Sequence, residues 1–433
     1  MNGILNMKYF FLPLLALSLL LPGILSASGL HTSDYNYYND IVGDRATGMG
    51  GAYTAISDDP SGAWYNPAGL VFSMDNQISL SVNSYQDKGL TIDRAFEFGG
   101  RMYAYKQNIS TFYPSFFGVV QSLGDIKFAF TVTTVNNEVL DQDTFYSAAD
   151  GSTFNMKYNL NDSTAHFGAS AAVFLSDTVA VGMTLSLVKR RNEQISTYVN
   201  SGEISTNKTA LYIASMLNMT EDAWGGTARL GIQWMPTKTF TVGASALVGT
   251  IFSHTQDVMQ FVRDAGGGSN FLDSTNVRYV NTEDTSLSSA LPVNLRVGVA
   301  WFASKDFLLS ADIIADIGSQ YFANVGLKST INAAIGMEYY LTPSIPFRFG
   351  LFSNMANTPD VVAGKLDQEL HADLIGVGTS IGWQTRSSSI ALSFTFQGGK
   401  GKMQVSDDYP DDVKIQDVSI RKIAVSLTGS ARY

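Results

Sequence analysis

The strictest constraint on this chain is a period of two that recurs in stretches of ten or more residues. At the C-terminus Ile423, Val425, Leu427, Gly429, Ala431 and Tyr433 alternate with Lys422, Ala424, Ser426, Thr428, Ser430 and Arg432. In Leu291–Phe302, Val293, Leu295, Val297, Val299 and Trp301 alternate with Asn294, Arg296, Gly298 and Ala300. The same division marks Ile126–Thr134, Val179–Leu187, Ala228–Trp234, Ile331–Tyr339, Ile375–Trp383 and Ile390–Phe396. Successive strand side chains point to opposite faces, so each stretch has one apolar face and one small or polar face. Such a chain folds into sheet, and what matters next is what the apolar faces meet.

A soluble sandwich alternates too, but three features point to a membrane barrel. The repeats exceed the ~5–6 residues of an ordinary strand and match the ~9–11 of a tilted membrane strand. Short connections (Ser122–Asp125, Ser176–Thr178, Pro236–Thr239, Ala303–Asp306, Thr342–Ser344, Thr385–Ser388) alternate with long ones near 136–162, 192–223, 255–289, 318–328, 354–370 and 398–417. That is the pattern of short periplasmic turns and long outer loops. Trp234, Trp301, Tyr339 and Trp383 sit beside short turns and Trp224 at the other end of its strand, as two interfacial girdles require. Six short turns give twelve strands between about 111 and 398; adding 76–85 and 418–433 predicts an all-β, antiparallel transmembrane barrel of about 14 strands. Both termini fall on the short-turn side, and Gly89–Tyr105 is assigned to the first external loop.

Composition narrows the chemistry. With no cysteine among 433 residues, disulfides and thiol chemistry are excluded. His31, His166, His254 and His371 have no metal-ligand spacing, and a formal charge of −10 disfavours nucleic acid as a partner. No catalytic residue, metal or cofactor is expected. Lys8, the apolar run Phe10–Leu25 and the small residues Ser26-Ala27-Ser28 predict a signal peptide over 1–28, with Met7 an equally good start. The mature chain is expected in an outer membrane.

A barrel of ~14 strands is too wide for its own wall side chains to fill. Residues 29–75 precede the first strand and are rich in small residues, so they are the natural plug, with the barrel over 76–433. Strand glycines such as Gly298, Gly376 and Gly378 would make room for it. Asn66-Pro67-Ala68-Gly69 reads as a stiff turn and not as the start of a helix. The run Asp44-Arg45-Ala46-Thr47-Gly48-Met49-Gly50-Gly51-Ala52, then Ala55–Asp59 and Tyr65-Asn66-Pro67-Ala68-Gly69-Leu70, resembles the N-terminal hatch of the FadL family, outer-membrane transporters of long-chain fatty acids and other hydrophobic compounds. Leu291-Pro292-Val293, Arg296-Val297-Gly298, Ala334–Tyr339 and Phe347–Gly350 resemble the family's late strands. The resemblance implies a fourteen-stranded plugged barrel. It also implies hatch or gating roles for Gly48, Gly50, Gly51, Asn66, Pro67 and Ala68, with release past the hatch or sideways at an inward-kinked third strand. That strand would be Asp125–Val135, where neither glycine nor proline marks a kink within 126–135.

Two expected outer loops carry apolar residues at helix-like spacing. Leu211, Ile213, Met216, Leu217 and Met219, with Val258, Met259, Phe261 and Val262, are candidates for a groove that captures a hydrophobic small-molecule ligand; Lys208, Arg263 and Arg278 are candidates for a carboxylate head. The inward charges Lys127, Arg229, Arg296, Asp312, Glu338 and Arg348 are expected to pair with one another or with Arg45, Asp58 and Asp59, because unpaired buried charge is expensive. Other expected partners are outer-membrane lipid and, through the C-terminal strand, the barrel assembly machinery. A second functional reading is a PorV-like barrel that docks secreted proteins.

Overall fold

The computed structural model describes residues 36–37, 40–74, 76–98, 101–148, 151–204, 209–266, 274–283, 291–318, 320–321, 325–365, 368–404 and 414–433. The expected signal, 1–28, lies outside them. The tall strands are β1 (Gln77–Phe98), β2 (Arg101–Leu123), β3 (Ile126–Ser147), β4 (Thr153–Ser176), β5 (Val179–Ile204), β6 (Thr209–Thr237) and β7 (Phe240–Gly266). Shorter ones follow: β8 (Ser274–Glu283), β9 (Val293–Phe302), β10 (Phe307–Ile317), β11 (Gln320–Tyr321), β12 (Val325–Gly326), β13 (Thr330–Thr342) and β14 (Ile345–Asn354). The chain closes with β15 (His371–Gln384), β16 (Ser388–Gln404) and β17 (Ile415–Arg432).

Fourteen of these strands, β1–β7, β9, β10 and β13–β17, form one closed antiparallel barrel. Closure joins β1 to β17 from Gln77↔Arg432 to Ile92↔Val418, and the Tyr433 amide donates to Asn76 O at 3.0 Å. No barrel edge is left open at this junction, which is the condition for a sheet to sit in hydrocarbon. All six short turns fall where the sequence places them, at the same end of the barrel.

Above the opposite end the structure departs from expectation. The segments expected as loops near 136–162, 192–223 and 255–289 are largely strand: β3 to β7 continue upward as paired hairpins, and β8 pairs with the top of β7. Gly89–Tyr105, expected in a loop, is the upper parts of β1 and β2. Thr209–Met219 and Asp257–Asp264 are not helices but neighbouring strands, with Met216↔Phe261, Leu217↔Gln260 and Met219↔Val258. Their apolar residues satisfy both periods, and two-sided pairing of β6 with β5 and β7 settles the choice for strand.

The outward face carries a belt of exposed apolar side chains, among them Leu185, Leu230, Ile335 and Ile375. On β6 it runs from Trp224 to Trp234; at about 3.3 Å per residue and a tilt of roughly 40° this spans about 25 Å, the height of a barrel's lipid-facing band. Just above it the outward positions of β5 turn to Lys189, Arg191 and Glu193, and Lys189 Nζ lies 4.7 Å from the Trp224 ring centroid. The upper hairpins of β3–β7 therefore stand clear of the hydrocarbon. Accordingly, Leu230→Arg, in mid-belt, is expected to reduce folding stability in lipid vesicles by about 2–4 kcal/mol, and Thr220→Arg, above it, by less than about 1 kcal/mol. Equal costs in urea titrations would show that the belt is misplaced.

Candidate functional site

Residues 40–74 fill the bore. Their regular pieces are short: α1 (Asp44–Gly48), α2 (Gly62–Tyr65) and a 3₁₀ helix over Pro67–Phe72. Asn66-Pro67-Ala68 thus begins a helical turn, contrary to expectation. Proline costs nothing at a helix start, where its missing N–H has no partner anyway. Asn66, extended as the residue before proline must be, caps the turn by accepting from Ala68 N at 3.2 Å. Its Nδ2 donates to Thr54 O at 2.9 Å and to Ile232 O of the wall at 3.0 Å. Tyr53, Tyr65 and Leu70 are buried. The leading end, Asn36–Tyr37, lies near the long-loop end of the barrel, where Asn36 Nδ2 donates to Asn354 O at 3.0 Å. The described segment therefore spans the bore, from Asn36–Tyr37 near the long-loop end to Ser73 beside the short turns, where Gln77 and Arg432, the two ends of the barrel, lie as expected.

The wall is carved to receive this plug. A Cβ on Gly378 would stand 2.1 Å from Thr47 O, one on Gly350 2.1 Å from the Met49 carbonyl carbon, and one on Gly182 2.5 Å from that of Pro67. Gly298, as expected, faces Thr54; a Cβ on Gly376 would meet first the Phe352 ring, at 2.2 Å. Gly48 abuts Ser380, while Gly50 and Gly51 hold φ of +65° and +85°, which only glycine adopts cheaply.

Polar wall side chains satisfy the irregular plug backbone. Asp312 Oδ2 accepts from the Tyr53 and Thr54 amides at 3.0 and 2.9 Å. Ser245 donates to Tyr65 O at 2.6 Å, Gln233 to Ala55 O at 2.9 Å, Thr184 to Ala63 O at 3.0 Å and Lys127 to Ser73 O at 3.1 Å. The expected charge pairing is present for Glu338 and Arg348, whereas Lys127 and Asp312 bind plug backbone and Arg229 and Arg296 reach Asn294 Oδ1 at 3.1 and 3.3 Å. Glu338 is gripped by Arg45 Nη2 at 2.9 Å and Arg348 Nε at 2.6 Å, while Arg45 also holds Asp58 at 2.6 Å and Arg348 holds Asp44 at 3.1 Å. Burial, with Asp44 and Asp58 close by, pushes the Asp59 carboxyl up to about 6. Between plug and wall, beside Trp64, Tyr65, Arg296 and Phe352, lies a cavity of about 50 Å³, room for a few waters and no ligand. A hollow of about 560 Å³ opens instead on the lipid-facing side, among Val297, Ile313, Ile335 and Ile375.

Above the plug the bore is layered. A polar tier comes first: Lys422–Asp40 at 2.9 Å, Lys88–Glu138 at 2.7 Å, Arg190–Asp162 at 2.9 Å and His254–Glu221 at 2.8 Å. Higher still, Leu90, Ile92, Phe154, Met156, Tyr198, Leu370, Leu374, Met403, Val418 and Ile420 form an apolar cluster that closes the mouth, with Tyr103, Tyr105 and Tyr146 against it. Sequence reasoning missed this cluster, although the alternation of Lys88, Leu90 and Ile92 announced it. The expected capture residues are divided by the strand. Leu217, Met219 and Val258 share the inward face with buried Glu221 and His254, whereas Met216, Met259 and Phe261 occupy outward positions. The side chains of Leu211, Ile213, Val262, Arg263 and Arg278 lie outside the described ones, as does Lys208.

The wall also has a seam. β2 and β3 are laddered from Leu123↔Ile126 up to Phe116↔Thr133, and above that no ladder pair joins them among the described residues. At that height Pro114 removes an amide hydrogen from β2, and a bulge at Val135 turns both Val135 and Asn136 inward. The two strands are instead bridged by side chains: a buried apolar group of Ile109, Leu140 and Tyr158 with Leu160 beside it, Gln142 Nε2 to Lys106 O at 3.0 Å, and the Tyr103 and Tyr146 rings at 4.9 Å. The interruption is thus marked on the neighbouring strand, at Pro114, and by a bulge that no residue type announces.

No protein-family model matches the sequence, and no curated protein matches it. Solved structures do share its fold. A FadL homologue from Pseudomonas aeruginosa superposes with a TM-score of 0.65 at 14% identity, over 92% of this chain and 99% of that one. The P. putida toluene transporter TodX gives 0.64 at 15%, over 91% and 99%. A monoaromatic hydrocarbon channel, CymD, gives 0.58 at 13%, over 92% and 99%. At these identities the likeness establishes the fold, a FadL-like barrel.

Two outcomes test the plug. Glu338→Ala leaves two buried guanidinium groups without their shared carboxylate and is expected to cost about 3–5 kcal/mol in urea unfolding; a loss below 1 kcal/mol contradicts the network. Asp59, whose carboxyl ionises less readily in the folded chain, contributes stability fully present below about pH 4 and lost as pH climbs towards 6. The melting temperature of Asp59→Asn relative to wild type is therefore expected to rise between pH 4 and pH 7, and a difference independent of pH would refute the burial of that carboxyl.

Proposed function

We propose that the chain is a passive outer-membrane channel for hydrophobic small molecules, long-chain fatty acids or other apolar compounds, captured at the mouth without an energy source. The neighbours named for toluene and monoaromatic hydrocarbons support an apolar cargo on this fold. The observation that carries the reading is the juxtaposition of the buried mouth cluster with the unladdered seam, whose Ile109, Leu140 and Tyr158 lead sideways from it.

Release past the hatch, expected from the resemblance, requires breaking the Arg45–Glu338–Arg348–Asp44 network and the Asp312 clamp, and widening the plug–wall contact well beyond the cavity of about 50 Å³ beside Trp64. An apolar molecule would also have to cross the polar tier. Release through the seam requires only that side chains part, and the lower end of the seam at Pro114 reaches the top of the lipid-facing belt. The seam is therefore the assigned exit, with Asn66, Pro67 and Ala68, beside Gly48, Gly50 and Gly51, holding the floor against the wall glycines. Lipid contacts the belt, and the C-terminal strand ending in exposed Tyr433 is the segment assigned to the assembly machinery.

The chain lacks cysteine, so a paired Ile109→Cys, Leu140→Cys variant can be bridged cleanly with a short bifunctional thiol reagent. Bridging is expected to reduce octylbenzene uptake by cells at least tenfold, and a reagent cleaved by reductant restores it. Undiminished uptake through a bridged seam would return the exit to the hatch.

A further inference from the structure

The inner face of β5 carries a polar track that neither the plug nor the ion pairs use. Asn192, Gln194, Ser196 and Tyr198 occupy alternate positions, share a face, and are all buried. They stand above the Lys189–Trp224 level, at the height where lipid head groups meet water. Directly across on β4 are Asp162, Leu160, Tyr158 and Met156; across on β6 are Glu221, Met219, Leu217 and Ser215. One flank of the track is therefore the apolar lining of the seam, since Leu160 in turn faces Leu140 of β3. The other flank holds Glu221.

Three buried atoms at the foot of the track, Asn192 Oδ1, Gln194 Nε2 and Glu221 Oε2, have no hydrogen-bond partner among the described residues, and neither do the Ser196 and Tyr198 hydroxyls above them. The second Glu221 oxygen is already held by His254 Nε2 at 2.8 Å. Buried polar atoms left bare are costly, and a group that completes them is favoured accordingly.

We propose that this track recognises an uncharged hydroxyl head on a hydrophobic tail, a phenol or an alcohol, with the tail lying in the seam between Leu160, Tyr158, Leu140 and Ile109. A hydroxyl is the smallest group that both donates and accepts. It donates to Glu221 Oε2 or Asn192 Oδ1 and accepts from Gln194 Nε2. A carboxylate head meets Glu221 and Asp162 on the same face with Glu138 nearby, while the cations beside them, Arg190 and Lys88, are taken by Asp162 and Glu138. The inference rests on the channel reading and narrows its cargo from hydrophobic to amphiphilic molecules.

The test is calorimetric titration of the full-length protein in nanodiscs, against empty nanodiscs, with 4-octylphenol, octylbenzene and 4-octylbenzoate. The phenol is expected to bind about tenfold tighter than octylbenzene, the equivalent of one well-made hydrogen bond. Gln194→Leu and, independently, Glu221→Met are each expected to bring the phenol to the affinity of octylbenzene while leaving octylbenzene unchanged, with heat-dependent gel migration confirming that each variant folds. Equal affinity for phenol and octylbenzene in the wild type, a preference that survives both substitutions, or tightest binding of the benzoate overturns the hydroxyl site and leaves the channel standing. Failure of octylbenzene itself to bind overturns the channel reading.

Discussion

Every irregular amide and carbonyl inside a closed barrel must find a partner, because the wall has spent its own hydrogen bonds on its neighbours. That constraint organises this molecule. The plug contributes an irregular backbone that sheet hydrogen bonding cannot serve, and the wall answers with Asp312, which takes two amides, and with Ser245, Gln233, Thr184 and Lys127 on carbonyls. Where no side chain is wanted, the wall supplies glycine, so that the two backbones approach to contact. Gly298 shows how tightly the two devices are linked: a Cβ there would collide with the Asp312 carboxylate that clamps the plug.

From that floor upward the bore changes character in steps, from packed plug to ion-paired tier to apolar mouth. The order matters for traffic. An apolar solute partitions readily into the mouth cluster and gains nothing by descending among Arg190, Asp162, Lys88 and Glu138. The seam between β2 and β3 lies at the level where descent becomes unfavourable, and its lining is the continuation of the mouth's chemistry.

Much of the architecture was legible in the sequence. Strand number, short turns, girdle residues and the plug all follow from period two, turn residues and a compact opening segment, because these depend on local pattern and on the arithmetic of closure. The outer hairpins were misread as loops and helices because 209–219 and 257–264 satisfy two periods at once, and only pairing across strands decides between them. The seam was invisible for a different reason. It is the absence of a ladder between two strands that each look regular, and its one local trace, Pro114, sat on the partner of the strand expected to bend. The mouth cluster is a contact among β1, β4, β5, β15, β16 and β17, which no linear window contains.

The unequal strand lengths leave the rim lopsided. β3 to β7 run to between 22 and 29 residues, whereas β9, β10 and β14 have 10 or 11. Among the described residues β1–β7, half of the barrel strands, form a parapet, and β9, β10, β13 and β14 are the low side of the rim. On the proposed route a solute would reach the mouth most directly across the low side, with the tall side as a backstop, and cargo leaving between β2 and β3 would emerge at the foot of that parapet, in its lee, which separates the place of arrival from the place of departure.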